Sequence, residues 1–167
     1  DRFANNLLDQ VIKNTKSRQE IIQLLAEKRI YISTVSSIVN KTELFQLKDF
    51  DTVIIDEASQ ILEPMLVGLL SKFKRFILIG DHKQLPAVVV QDGESSSVKD
   101  ENLRNLGIND TRISLFERLY MQVRQNDWTD AYGILEQQGR MHENLMTFVN
   151  THFYEGKLQI LPGLKRQ

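Results

Sequence analysis

Cysteine is absent from the 167 residues, so neither a disulfide framework nor a thiolate metal site can be built. The three histidines, His82, His142 and His152, are widely separated and match no metal-ligand spacing, which argues against a zinc site. No apolar run approaches the roughly 18 residues that a membrane-spanning helix requires. The opening Asp1-Arg2-Phe3 has neither the shape of a secretion signal nor an initiator methionine. Asn40-Lys41-Thr42 and Asn109-Asp110-Thr111 fit the glycosylation triplet, but without a secretion signal they read as chance matches. An excess of charge is also missing. Twenty-one basic side chains face 22 acidic ones, for a net charge of −1, whereas a free-standing nucleic-acid binder is usually strongly basic. That balance does not exclude a machine that grips a strand only locally. There are no internal repeats. What is present is an apolar share of 41%, enough for a sizeable core. Composition alone supports an ordinary intracellular domain without membrane attachment, in the cytoplasm or, in a eukaryote, the nucleus.

Periodicity divides the chain. Ala4, Leu7, Leu8, Val11 and Ile12 recur at helical spacing, as do Ile21, Leu24 and Leu25. Arg29 to Val35 is short and β-branched and predicts a strand, and Lys41 to Asp51 reads as a polar connection. Thr52 to Ile55 is an unbroken apolar run, the pattern of a strand buried on both faces. Leu62, Met65, Leu66, Leu69, Leu70 and Phe73 mark a helix face, and Phe76 to Ile79 is a second buried strand. Two strands joined through a helix predict a βαβ unit with parallel pairing, hence an α/β fold. Gln91 to Asp110 is polar and acidic and reads as a flexible surface excursion. Ser114 and Glu117 have capping-box spacing ahead of the stripe Phe116, Leu119, Tyr120 and Val123. Tyr132 to Leu135 fits a short strand. Leu145, Phe148, Val149 and Phe153 mark a last helix, with Pro162-Gly163 beyond it.

Chemistry concentrates where the two apolar strands end. The first runs into Asp56-Glu57, and parallel sheets bind ligands beyond the carboxyl ends of their strands. Of two adjacent acids there, one can hold a magnesium ion, which prefers oxygen ligands and keeps several waters. The other can polarise a water for attack on a terminal phosphate. The plain alternative is a solvated turn. The second strand ends at Gly80-Asp81-His82-Lys83-Gln84-Leu85-Pro86. Glycine lets backbone approach a ligand closely, and the amide of Gln84 can both donate and accept. The alternative there is a polar turn closed by Pro86.

Taken together, Asp56-Glu57-Ala58-Ser59-Gln60, Glu63-Pro64 and the Gly80 to Pro86 segment resemble motifs II and III of superfamily 1 helicases. The likeness is to the branch that includes the nonsense-mediated decay helicase and the Okazaki-fragment helicase–nuclease. Gln138-Gly139-Arg140-Met141-His142 resembles that branch's motif IV, and Ile32-Ser33-Thr34 its motif Ic. Phe148-Val149-Asn150 and the run Phe153 to Leu158 are similar to the family as well, as is Ser114 to Leu119. The resemblance covers about Arg29 to Leu158. It implies a RecA-like parallel sheet flanked by helices, of the P-loop NTPase type. It implies Mg2+ as cofactor, ATP as substrate and single-stranded DNA or RNA as partner.

The resemblance also implies a role for each matched residue. Asp56 would hold magnesium through water, and Glu57 would activate the hydrolytic water. Gln84 would contact the γ-phosphate, and Arg140 would neutralise charge on the transferred phosphoryl group from across a cleft. Thr34 would help bind the nucleic-acid backbone. Outside the motif context Arg140 reads as a surface ion pair and Thr34 as an ordinary strand residue. His82 and Lys83 carry no assigned role, and His142 reads as a locally bonded residue. Two positions depart from the family pattern: Gly139 stands for the usual aromatic that stacks on the base, and Glu143 for the usual proline.

The phosphate-cradling sequence G-x-x-x-x-G-K-[ST] occurs nowhere in the chain. The expectation is therefore an internal piece of a longer helicase, inactive alone and completed by the rest of that chain, with non-physiological self-association of a truncated sheet. Residues 1–90 would be the later part of a first RecA-like domain, 91–130 a connecting or inserted segment, and 131–167 the start of a second such domain. The parent would be an ATP-dependent helicase or a translocase that does not unwind. A non-catalytic scaffold descended from a helicase is the main alternative, and an unrelated two-carboxylate metal hydrolase a more distant one.

Overall fold

The computed structural model describes residues 12, 13, 15 and 17–162 of the chain. Most of the helix expected over Ala4 to Ile12 lies outside the described residues. The first labelled helix, α1 (Arg18–Glu27), starts where Ser17 Oγ accepts from the Glu20 amide. Its C-terminal end is closed by two side chains from elsewhere. Lys48 Nζ donates to the carbonyls of Leu25 at 2.6 Å and Lys28 at 2.9 Å, and the Tyr31 hydroxyl donates to Leu25 O. A cation at this end also complements the helix dipole.

The strand expected over Arg29 to Val35 is not formed. Residues 28–34 run without regular structure, with Ile30 and Ile32 81% and 95% exposed, because no neighbouring strand takes up their backbone groups among the described residues. Val35 instead opens a short helix, α2 (Val35–Val39), capped by Thr34. The supposed polar connection carries another, α3 (Leu44–Leu47), which buries Leu44 and turns Phe45 toward Phe50 and Phe73.

Strand β1 (Phe50–Ile55), helix α4 (Glu63–Leu70) and strand β2 (Phe73–Leu78) form the expected βαβ unit, with the strands parallel and Ile54 opposite Ile77. Phe73 begins β2 rather than ending the helix face, so that strand starts three residues earlier than its apolar run suggests. The core lies on one side of this pair, around Ile55, Ala58, Leu66, Leu69 and Leu115. The expectation that the strands are buried on both faces is not met: Ile54 is 62% and Ile77 50% exposed, since no described element packs over that face. Sheets of this kind are normally covered on both faces.

The acidic excursion is more ordered than its composition suggests. It holds α5 (Gly93–Ser96) and α6 (Glu101–Asn105), capped by Asp92 and Asp100, and an antiparallel bridge pairs Ser97 with Asp110. Helix α7 (Leu115–Gln125) follows, with Ser114 Oγ accepting from the Glu117 amide at 3.2 Å as the spacing predicts. Arg118 ties α7 to α4 through a nearly buried bidentate pair with Glu63, and donates also to the Leu106 carbonyl. No strand forms at Tyr132 to Leu135. Pairing starts two residues later, in β3 (Gln137–Gln138), which runs parallel to β4 (Gln159–Ile160) across helix α8 (Glu143–Phe153). The described chain is thus a small α/β structure with two parallel strand pairs, each bridged by a helix. No described helix is long and apolar enough to cross a membrane.

Candidate active site

Both apolar strands deliver their polar ends to one place. After Ile55, Asp56 is exposed, and its Oδ1 accepts from the Glu57 amide at 3.0 Å. Glu57 has φ +53°, a left-handed backbone that costs a non-glycine residue about 1–2 kcal/mol. Strain of this kind gathers at functional positions, where surrounding structure enforces it. The enforcement is visible: the Ala58 amide donates to the Ile79 carbonyl and the Ile79 amide to the Ile55 carbonyl, each at 2.8 Å. The ends of β1 and β2 are thereby stitched together around the turn. Residues 58–60 form one turn of 3-10 helix, from which Gln60 Nε2 donates to Glu57 Oε2 at 3.2 Å.

Gly80 owes its identity to this turn. A Cβ there would stand 2.9 Å from the Ser59 backbone nitrogen and 3.2 Å from its Oγ. The close approach expected of this glycine is therefore made to Ser59. Buried Ser59 Oγ accepts from the Asp81 amide at 3.1 Å, fastening the second strand end to the first. Asp81 then organises its own loop. Its Oδ1 accepts from the Lys83 amide at 3.0 Å, and its Oδ2 from Gln84 Nε2 at 2.9 Å and from the Tyr154 hydroxyl at 2.5 Å. Burial alone pushes Asp81 up, but hydrogen bonds from Tyr154, Gln84 and the Lys83 amide outweigh it and hold the carboxyl below the usual range. Tyr154 is pushed up to about 12, first by burial and then by the carboxylate it donates to.

The other expected residues sit on separate elements. Gln138 Oε1 accepts from the amides of Arg140 and Met141, both at 2.9 Å, so the glutamine shapes the loop that displays Arg140. The Arg140 side chain is exposed and takes part in no ion pair among the described residues, which argues against the surface salt bridge. His142 caps α8, its Nδ1 accepting from the Asn144 amide, in line with a local role. Thr34 is exposed, and its Oγ1 accepts from the Ser37 amide at 3.2 Å; its cap corrects the ordinary-strand reading. The structure therefore sets Asp56 and Glu57 at one strand end and fastens the Gln84 loop to the adjoining one through Asp81 and Ser59. No hydrogen bond joins Arg140 or Thr34 to them among the described residues. Sequence reasoning assigned no role to Ser59, Asp81 or Tyr154. The only signal was their presence inside quoted motifs.

The residues present fit magnesium carried in with a nucleotide. Asp56 offers an exposed carboxylate with one oxygen free of hydrogen bonds among the described residues, as suits an ion that keeps most of its waters. No group of three acids or histidines among the described residues could cage an ion without a substrate.

Comparison with known proteins defines the class. Family models described as AAA domains match residues 4–92 and 111–167. The chain belongs to this AAA-domain family, in the superfamily 1 helicase branch. It is 32% identical over 165 residues to an uncharacterized ATP-dependent helicase of Methanocaldococcus jannaschii, covering 98% of this chain and 22% of that protein. It is 37% identical over 147 residues to the DNA replication ATP-dependent helicase/nuclease DNA2 of Gallus gallus, covering 88% of this chain and 13% of the relative. Identity to the Homo sapiens protein of the same name is 35% over 153 residues, or 90% and 13%. The chain spans less than a quarter of the length of these relatives.

Proposed function

We propose that this chain carries the hydrolytic half of a motor that couples Mg-ATP turnover to movement along single-stranded DNA or RNA. The observation that supports this best is the junction of the β1 and β2 ends, where Asp56 and Glu57 adjoin the loop bearing Gln84. Asp56 would hold magnesium, which when bound would neutralise charge on the phosphates. Glu57, raised on its left-handed turn, accepts a proton from the attacking water. Gln84 touches the terminal phosphate and that water. Arg140, displayed by Gln138 and unpaired among the described residues, meets the charge that develops on the transferred group. Thr34 offers its hydroxyl hydrogen to a strand phosphate while its oxygen caps α2. The domain reading of 1–90, 91–130 and 131–167, each outer part RecA-like, accompanies this proposal.

Phosphoryl transfer depends on joint positioning. The 167 residues contain no phosphate loop. By themselves they are expected to hydrolyse no ATP and to need the rest of the helicase chain. The test is ATP turnover by the full-length protein, with and without single-stranded DNA or RNA. Turnover stimulated by one of the strands is expected, and the better activator identifies the track. A folded protein that turns over no ATP with any strand would replace the motor with a non-catalytic scaffold.

A further inference from the structure

The proposed turnover asks Gln84 to accept from a water and to donate to a phosphate oxygen, which a terminal amide does only when held the right way round. An exposed glutamine left alone samples many rotamers. Here it is held. Gln84 Nε2 donates to Asp81 Oδ2, and the Gln84 side chain also bonds that of Tyr154. A carboxylate only accepts, so Asp81 always takes the nitrogen end of that amide. Asp81 is itself fixed by its amide on Ser59, one turn beyond Glu57.

The same carboxylate oxygen also receives the Tyr154 hydroxyl at 2.5 Å, a length typical of a charge-assisted bond. Tyr154 stands at the C-terminal end of α8, and the other end of α8 follows the Arg140 loop. Eleven helical residues make a rigid rod of roughly 16 Å. Tyr154 is fixed on it: its amide donates to the Asn150 carbonyl, and the Asn150 side chain clasps Leu158 in both directions at 2.9 Å. One carboxylate is therefore shared between the amide at the strand end and the helix that starts beside the arginine.

From this arrangement we infer that Asp81 and Tyr154 are positioning residues for Gln84. Asp81 sets which end of the amide faces the phosphate, and Tyr154 makes that setting depend on where the helix that follows the Arg140 loop lies. The inference rests on the motor reading of the site. It adds two residues that act through Gln84 and touch no substrate.

The test is a double-mutant cycle in the full-length protein, reading strand-stimulated ATP turnover against ATP concentration. Tyr154→Phe is expected to lower kcat about tenfold, the order of one hydrogen bond to a charged group, with KM for ATP changed by less than about twofold. In a Gln84→Ala background the same change is expected to have no further effect on the residual turnover. Asp81→Asn, which offers Gln84 a donor as well as an acceptor, is expected to lower kcat at least as much and to be equally silent in that background. It serves as the second probe should Tyr154→Phe fold poorly. Equal losses in both backgrounds, an unchanged kcat, or an effect on KM alone would overturn the inference while leaving a strand-stimulated motor in place. Absence of turnover in the wild-type protein would remove the motor reading itself, and the inference with it.

Discussion

At the residue scale, the site is built from small groups whose partners only the fold supplies. Gly80 is the clearest case, because a Cβ there would meet backbone, at 2.9 Å from the Ser59 nitrogen, and backbone cannot swing aside. Gly80→Ala is expected to destabilise the chain by about 1–3 kcal/mol, read as a lower urea midpoint. An unchanged midpoint would mean the two strand ends are not clamped as described. Acid pairs and an amide at strand ends are visible to sequence reasoning because their chemistry is unusual. Ser59 and Tyr154 are not, because a serine and a tyrosine acquire meaning only from the partner that folding supplies. Asp81 was within sight of the motif, yet its three hydrogen bonds, one from a residue 73 positions away, follow from tertiary placement alone.

At the scale of elements, legibility tracked burial. The apolar runs at 52–55 and 76–79 marked a real parallel pair, and the apolar stripe from Leu62 to Leu70 marked its crossover helix, because Val53, Ile55, Leu66, Leu69 and Leu78 meet in one core, although Ile54 and Ile77 stay on the open face. Where apolar content was decoupled from packing, the same signals misled. Ile30 and Ile32 sit in an extended segment without a partner strand, and β-branching cannot form a strand where no neighbour takes the backbone hydrogen bonds. The segment 91–110 misled in the opposite sense: Asp92 and Asp100, which suggested looseness, are helix caps. Between elements, the pair of Glu63 and Arg118 locks α7 onto α4 with both side chains largely withdrawn from water. Removing one partner of such a pair leaves an uncompensated charge, so Arg118→Ala is expected to cost about 3 kcal/mol. A calorimetric scan showing less than about a third of that loss would make the pair a surface contact in energetic terms.

At the scale of the whole molecule, two parallel units each present something the other lacks. The first offers acids and an amide at paired strand ends, and the second offers an exposed arginine at the head of a helix whose far end returns to Asp81. The open face bearing Ile54 and Ile77 shows that this unit's sheet is covered on one side only among the described residues. Such a face favours association of the chain with itself or with further parts of a longer protein. The two AAA-domain matches, residues 4–92 and 111–167, fall one on each of these units.

The proposed motor turns on Glu57 activating the water which attacks the nucleotide. The most direct measurement is Glu57→Gln in the full-length protein, comparing strand-stimulated turnover with nucleotide affinity. Removing a general base lowers rates by about 10²–10⁴-fold, so turnover is expected to fall by that order while ATP affinity stays within a few-fold of wild type. Turnover retained within about tenfold, or lost in step with affinity, would contradict the role given to Glu57.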